Sequence, residues 1–126
     1  MESFRYEKLI APVIAAAMEV HRELGPGLTE SIYEECLCHE LATRGLMFHR
    51  HVPLPVHYKK AKLDCGLQMD LVVEDMVILV VEAIERILPV HEAQLATYLK
   101  MSGKPIGLLI NFNVPMLKDG IIRQVK

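Results

Sequence analysis

Apolar residues recur every three or four positions along two stretches at the start of the chain, which is the spacing of an amphipathic helix. The first stretch covers residues 3–24 and stops at Gly25-Pro26-Gly27, a sequence that does not continue a helix. The second begins at Leu28 or Thr29 and runs to Arg44. Gly45 follows it, where a left-handed cap residue is favoured. We therefore predict two opening helices, with Thr29 capping the second.

After Gly45 the pattern changes to the alternation and the short apolar runs of β-strands. The predicted strands are residues 52–56, 68–73, 76–83, 106–112 and 120–125. Pro53 and Pro55 make the first an edge strand or an interrupted one. The unbroken apolar run of residues 76–81 predicts a strand buried on both faces. Residues 59–62 are predicted to form a polar turn.

A third helix is predicted from Pro89, which suits a first helical turn, to about Met101. It joins the strands at 76–83 and 106–112, so those strands are expected to be parallel and connected by a right-handed crossover. The earlier strands are close enough in sequence to form an antiparallel meander. The predicted fold class is α/β, a mixed central sheet flanked by helices in the order α-α-β-β-β-α-β-β, in one domain over residues 1–126.

Composition narrows the class of protein without naming a function. Of the 126 residues, 52% are hydrophobic and 24% charged, which excludes a disordered chain. The longest apolar run has six residues, whereas a membrane-spanning helix needs about 20. Three cysteines are too few for a disulfide scaffold, and no signal pattern opens the chain. We therefore predict a cytoplasmic protein with no membrane association.

The net charge of −2 gives no overall electrostatic footprint for nucleic acid, so nucleic-acid binding would require a local basic patch. Two groups of basic residues could contribute to one, and a solvated charged turn is the alternative interpretation. The candidates are His49, Arg50, His51, Lys59, Lys60 and Lys62.

Asp70 is the most unusual polar residue, because it lies within a predicted strand between Met69 and Leu71. A buried carboxylate is costly unless it is neutral, paired or bound to a cation. From the pattern alone, a hydrogen-bonded structural aspartate or one exposed at a sheet edge is the alternative to a functional residue. Glu82, where the apolar strand ends, is expected on the same basis to be solvated.

Several long blocks of the chain match one family pattern in the right order. Gly27-Leu28-Thr29-Glu30-Ser31-Ile32-Tyr33 reproduces the signature G-x-x-E-x-x-Y. Further blocks are DLVVED at 70–75, LPVHEAQLATYLK at 88–100 and GLLINFNVP at 107–115. Together they resemble the GxxExxY protein family, a small-domain branch of the PD-(D/E)XK nuclease-like superfamily. The resemblance covers about residues 5–125 and implies helices flanking a mixed sheet.

The resemblance also implies a site. In active members, an aspartate on one strand and an acidic-x-Lys triplet on the next hold one or two Mg²⁺ ions and orient the attacking water. On this chain the strand aspartate is Asp70 and the helical acid is Glu30. The polar pair on the following helix is Gln94 and Tyr98, which are four residues apart and share a helix face. Mg²⁺ or Mn²⁺ would be the cofactor of an active protein.

The triplet departs from the family pattern Val-Ile-Val-Glu-Leu-Lys-Ala-Val-Glu. Residues 77–85 read VILVVEAIE, so Val80 stands at the acid position and Glu82 at the lysine position. Valine offers no oxygen to a metal ion, and loss of a water-positioning group commonly costs a factor of about 10² to 10⁴ in rate. We therefore expect a catalytically impaired nuclease-fold protein, a pseudoenzyme.

Three other interpretations stay open. Glu82 shares a strand face with Val80, so it can join Glu30 and Asp70 as a metal ligand in a rearranged, weakly active phosphodiesterase acting on DNA or RNA. Alternatively, the domain binds nucleic acid or a protein without a metal. A homodimeric structural protein is the third, because the apolar content leaves surface for a partner.

Overall fold

A computed structural model describes residues 2–126, with side chains described for residues 6–126. Over that range the chain forms three α-helices, seven β-strands and a 3₁₀ turn at Leu117–Gly120. The helices are α1 (Glu2–Leu24), α2 (Glu30–Thr43) and α3 (Pro89–Ser102). The strands are β1 (Phe48–Pro53), β2 (Val56–Tyr58), β3 (Ala61–Leu63), β4 (Gln68–Val73), β5 (Val77–Glu82), β6 (Ile106–Asn111) and β7 (Ile121–Val125). Among the described helices, none combines the length and the apolar character that crossing a membrane requires.

Five strands form a central mixed sheet in the order β1-β4-β5-β6-β7. Strands β5 and β6, which α3 connects, are parallel, and the other neighbours are antiparallel. The α/β class, the antiparallel meander and the parallel pair across α3 are thus confirmed. Strand β1 is an edge strand, as Pro53 predicts, because proline cannot donate to a second neighbour.

The segment between β1 and β4 differs from the prediction. The strand predicted at 52–56 is two strands, since β1 ends at Pro53 and β2 begins at Val56. The turn predicted at 59–62 is narrower, because Tyr58 pairs with Ala61 and the chain continues as β3. Strands β2 and β3 form a separate two-stranded sheet. Strands of three residues with exposed side chains lack the alternating apolar pattern from which strands are predicted.

The central sheet is covered on both faces, and β5 contributes to both. Its residues Leu79 and Val81 pack in a core with α1 and α2, whereas Ile78 and Val80 pack in a second core with α3. All four are at most 4% exposed, which confirms the predicted burial on both faces. Each such side chain contributes about 1.5–3 kcal/mol through removal from water. The ends of β4 and β5 are consequently held firmly between two helical layers.

Candidate acidic cleft

The carboxylates of Glu30, Asp70 and Glu82 lie near one another at the end of β5, and we call this region the acidic cleft. Glu30 is the first residue of α2, and the turn before it explains the spacing G-x-x-E-x-x-Y. Gly27 has φ 104°, a region of backbone space that side chains with a Cβ rarely adopt. The Tyr33 hydroxyl donates to the Gly25 carbonyl at 2.6 Å and accepts from the Leu28 amide at 3.2 Å. The buried Tyr33 ring also stacks on Phe112, with 4.6 Å between centroids. The glycine and the tyrosine thus fix the turn from which Glu30 projects.

Thr29 is the N-cap residue of α2, but its side chain makes no capping hydrogen bond. Its hydroxyl lies 3.3 Å from the Ser31 hydroxyl, so the predicted side-chain cap is wrong. The carboxylate of Glu30 lies in the first turn, where the positive end of the helix dipole favours negative charge.

Asp70 lies in β4 next to β5 and is half-buried. Its Oδ2 accepts a hydrogen bond from the Val81 amide at 2.9 Å, so a side chain takes part in the contact between the strands. Burial raises the pKa of Asp70, the Val81 amide opposes that rise, and the charges of Glu34 and Glu30 add to it. In a regular strand, residues 69 and 72 would face opposite sides of the sheet. Met69 and Val72 instead pack in the same core, so the alternation of side chains is interrupted near Asp70. The hydrogen-bonded aspartate considered from the sequence is what the structure shows, beside two other acids.

Glu82 is the last residue of β5 and the third carboxylate of the cleft. Burial, the Glu30 carboxyl within hydrogen-bonding reach, and the negative charge of Asp70 raise the pKa of Glu82 to about 7. Each of these effects disfavours the charged form of Glu82. Glu82 is half-buried, so its side chain is only partly exposed to solvent.

Gln94 and Tyr98 of α3 approach the same place from the opposite face of the sheet. Gln94 Nε2 donates to the Tyr98 hydroxyl at 2.9 Å, as their spacing on one helix face allows. Burial raises the pKa of Tyr98, and the charges of Asp70 and Glu82 raise it further. The charges of Glu30, Asp70 and Glu82 affect one another near the end of β5, and those of Asp70 and Glu82 also reach Tyr98. Gln94 joins this group through its bond to Tyr98.

The backbone just after Glu82 is held by Asn111, a buried residue that was not among the candidates chosen from the sequence. Asn111, 1% exposed, accepts from the Ile84 amide and donates to the Ile84 carbonyl, both at 3.0 Å. The Phe112 amide donates to the Glu82 carbonyl at 3.0 Å. These bonds continue the β5–β6 contact past the end of the strands. The sequence feature that could have indicated this role is the position of Asn111, a polar residue directly after the apolar run of β6.

The position expected to carry the family acid is Val80, which is 4% exposed in the core beneath α3. Its side chain belongs to the same buried cluster as Leu95 and Leu109 and contributes to packing. An acid there on its own would be costly to bury, whereas a lysine at position 82, on the same strand face, would give it a partner.

A second charged cluster lies between α2 and β1. It includes Arg50 and His51, which were predicted to contribute to a basic patch. Glu34, 8% exposed, accepts from Arg50 Nη2 at 2.5 Å and from His51 Nε2 at 2.9 Å. Glu35 binds Arg50 Nη1 at 3.0 Å, and both glutamates raise the pKa of Arg50. Arg50 and His51 are therefore neutralised by α2, and they do not extend the lysines of the β2–β3 turn.

The mixed sheet, the helical layers and the carboxylates at the ends of adjacent strands define an α/β domain with an acidic cleft. A family model described as the PD-(D/E)XK nuclease superfamily matches residues 7–124. The chain therefore belongs to the PD-(D/E)XK nuclease superfamily. No curated protein and no solved structure matches the chain.

Nucleases of this superfamily usually use divalent metal ions. Among the side chains of residues 6–126, no three His, Cys, Asp or Glu groups are arranged to hold one. Asp70 gives one oxygen to the Val81 amide, and burial together with nearby carboxylates disfavours the charged form of Glu82. As they are arranged, these donors do not fit a resident metal ion.

Proposed function

We propose that this protein belongs to the GxxExxY branch of the superfamily and that its nuclease fold keeps the acidic cleft without effective hydrolysis. The observation that carries this proposal is the surroundings of Glu82. Where the family pattern has lysine, this chain has a carboxyl group whose pKa two other carboxylates help to raise. Val80, at the position of the family acid, is occupied in core packing.

The electrostatics of the cleft argue against phosphodiester hydrolysis. The phosphoryl oxygens and the leaving group carry the negative charge of the transition state, and catalysis requires groups that stabilise this charge. Glu30, Asp70 and Glu82 offer the opposite sign, and a phosphodiester brings a further negative charge. A lysine at position 82 would supply the missing cation, at a distance where partial burial strengthens its effect.

A second candidate function is a weakly active Mg²⁺- or Mn²⁺-dependent phosphodiesterase acting on DNA or RNA. What favours it is the meeting of Asp70, Glu82 and Glu30, since carboxylate oxygens are the ligands these hard cations prefer. It requires the metal ion to hold Glu82 in its charged form, which burial and the nearby carboxylates disfavour.

A cleavage assay separates the two candidates. Supercoiled plasmid and single-stranded DNA are incubated with Mg²⁺ or Mn²⁺ and the wild type, Asp70→Asn, or the double variant Val80→Glu/Glu82→Lys. The matched control is the double variant carrying Asp70→Asn as well. We expect an inactive wild type and an active double variant, with a rate that falls by a factor of about 10² or more when Asp70→Asn is added.

Two outcomes contradict the proposal. Cleavage by the wild type that Asp70→Asn abolishes would show that Glu82 serves a rearranged site, which is the second candidate. Inactivity of every variant, with folding verified by circular dichroism, would show that the missing acid and lysine are not what prevents hydrolysis.

A further inference from the structure

We propose that the β2–β3 hairpin, residues 56–63, is an arm that binds single-stranded nucleic acid beside the acidic cleft. The choice of nucleic acid as the partner rests on the proposed function. The binding surface itself is argued from the exposure, the charge and the position of the arm. Binding by the arm requires no hydrolysis, so it is a separate property of the domain.

The arm contributes little to the cores. Five of its six strand residues are exposed, and Val56 is half-buried. It forms a two-stranded sheet of its own, with Val56 opposite Leu63 and Tyr58 opposite Ala61. An isolated two-stranded hairpin has marginal stability and usually needs further packing. Exposed residues of this kind are explained better by contact with a partner than by packing within the domain.

The charge of the arm is of one sign and is not neutralised within it. Lys59, Lys60 and Lys62 are exposed, residues 56–63 contain no Asp or Glu, and Asp64, directly after β3, accepts from the Gly66 amide. Since the whole chain has a net charge of −2, the remainder carries −2 − 3 = −5. By contrast, Arg50 is paired with Glu34, and Lys104 binds Asp75 at 2.7 Å. The arm is therefore a local basic patch of the kind that binds phosphates.

Tyr58 adds an aromatic surface to this charge. It is 61% exposed, and Ala61, the residue opposite it, is small. Lys59 Nζ lies 5.5 Å from the centre of its ring. An exposed aromatic ring on a basic surface is the combination on which an unpaired base stacks while its phosphate is bound. Bases inside a duplex do not expose their faces, so the arrangement favours a single strand.

The position of the arm connects it to the cleft. It inserts between Pro53, the last residue of β1, and Gln68, the first of β4. The Leu54 amide donates to the Leu67 carbonyl at 2.8 Å and closes the base of the arm. Asp70 lies only two residues into β4. A strand bound to the arm thus lies on the side of the sheet edge that leads to the carboxylates.

The test is fluorescence anisotropy of a labelled oligothymidine of about 20 nucleotides, in EDTA so that cleavage plays no part. The arm variant is Lys59→Asn/Lys60→Gln/Lys62→Gln. Lys59 has φ 56°, which asparagine tolerates better than lysine, so this change favours the turn. The control variant, Lys8→Gln/Lys100→Gln/Lys118→Gln, removes the same charge from exposed positions elsewhere.

We expect the arm variant to bind at least about tenfold more weakly than the wild type, and the slope of log K against log salt to decrease in magnitude by about 2. Tyr58→Leu is expected to weaken binding about tenfold through lost stacking. The control should stay within about threefold, because exposed charges distant from the arm are screened.

No binding by the wild type, or equal weakening of the arm and control variants, would overturn the inference. Binding to phosphatidylserine vesicles but not to the oligonucleotide would overturn it too, by showing that the arm contacts a lipid surface. The cleavage assay is independent of these results. An active double variant with a non-binding arm leaves the proposed function standing, and a binding arm with every variant inactive leaves the arm standing.

Discussion

Two glutamates of α2, four residues apart, have opposite surroundings. Glu34 is buried and meets two basic groups, Arg50 and His51. Glu30 is exposed at the start of the helix and meets another acid, Glu82, with Asp70 nearby. The first arrangement lowers the energy of the charged groups that it buries, and the second raises it. In the acidic cleft, the carboxylates near the ends of β4 and β5 repel one another. In the neutralised cluster, the charged groups attract one another and hold α2 against β1.

The largest expected effect comes from removing the acid of the neutralised cluster. Glu34→Gln leaves the Arg50 and His51 groups, which are partly exposed, with a weaker acceptor at a buried position. We expect the free energy of unfolding to decrease by about 2 kcal/mol, because a partly buried cation loses its main partner. Urea denaturation at neutral pH measures this change.

The matched variant is Glu30→Gln, which removes the same charge one helical turn away. It is expected to leave stability within about 0.5 kcal/mol of the wild type or to increase it, since it relieves repulsion at an exposed position. A loss of stability equal to that of Glu34→Gln would show that the two glutamates play the same role, and the comparison would fail.

A smaller effect is expected in the dependence of stability on pH. The pKa of Glu82 is about 7 in the folded protein and near 4.5 in a model carboxyl, so the native state binds its proton more tightly. Stability should therefore fall as pH rises through this window, and Glu82→Gln should remove that part of the fall. At pH 8 we expect Glu82→Gln to exceed the wild type by roughly 1 kcal/mol, after allowance for solvent screening.

The difference between Glu82→Gln and the wild type should be smallest at pH 4, where Glu82 is protonated in both states. Thermal denaturation of both proteins in a common buffer series provides the comparison. A variant less stable than the wild type at pH 8 would contradict the like-charge surroundings of Glu82.

The fold was largely predictable from the sequence because its signals are strong. The apolar run of β5, the glycines after α1 and α2, and Pro89 at the start of α3 each reflect a local physical preference. Strands β2 and β3 were missed because their side chains are exposed and no apolar face indicates a strand.

The cleft was predictable only in part. The resemblance selected Glu30, Asp70, Glu82, Gln94 and Tyr98, and the structure brings these residues together. Spacing along the chain does not reveal that Glu82 meets Glu30, since 52 positions separate them and two elements must fold to join them. For the same reason the pairing of Arg50 and His51 with Glu34, and the bonds from Asn111 to Ile84, required the tertiary structure.

The central claim is that Glu82 lies among carboxylates and that, among the side chains of residues 6–126, no basic group lowers its pKa. Titration of the glutamate side-chain carboxyl carbons by NMR, in the wild type and in Glu30→Gln, tests this claim most directly. We expect the resonance of Glu82, assigned with Glu82→Gln, to titrate near pH 7 in the wild type and at lower pH in Glu30→Gln. A resonance of Glu82 that titrates at or below 4.5 in the wild type would contradict the account, since that value requires a solvated or cation-paired group.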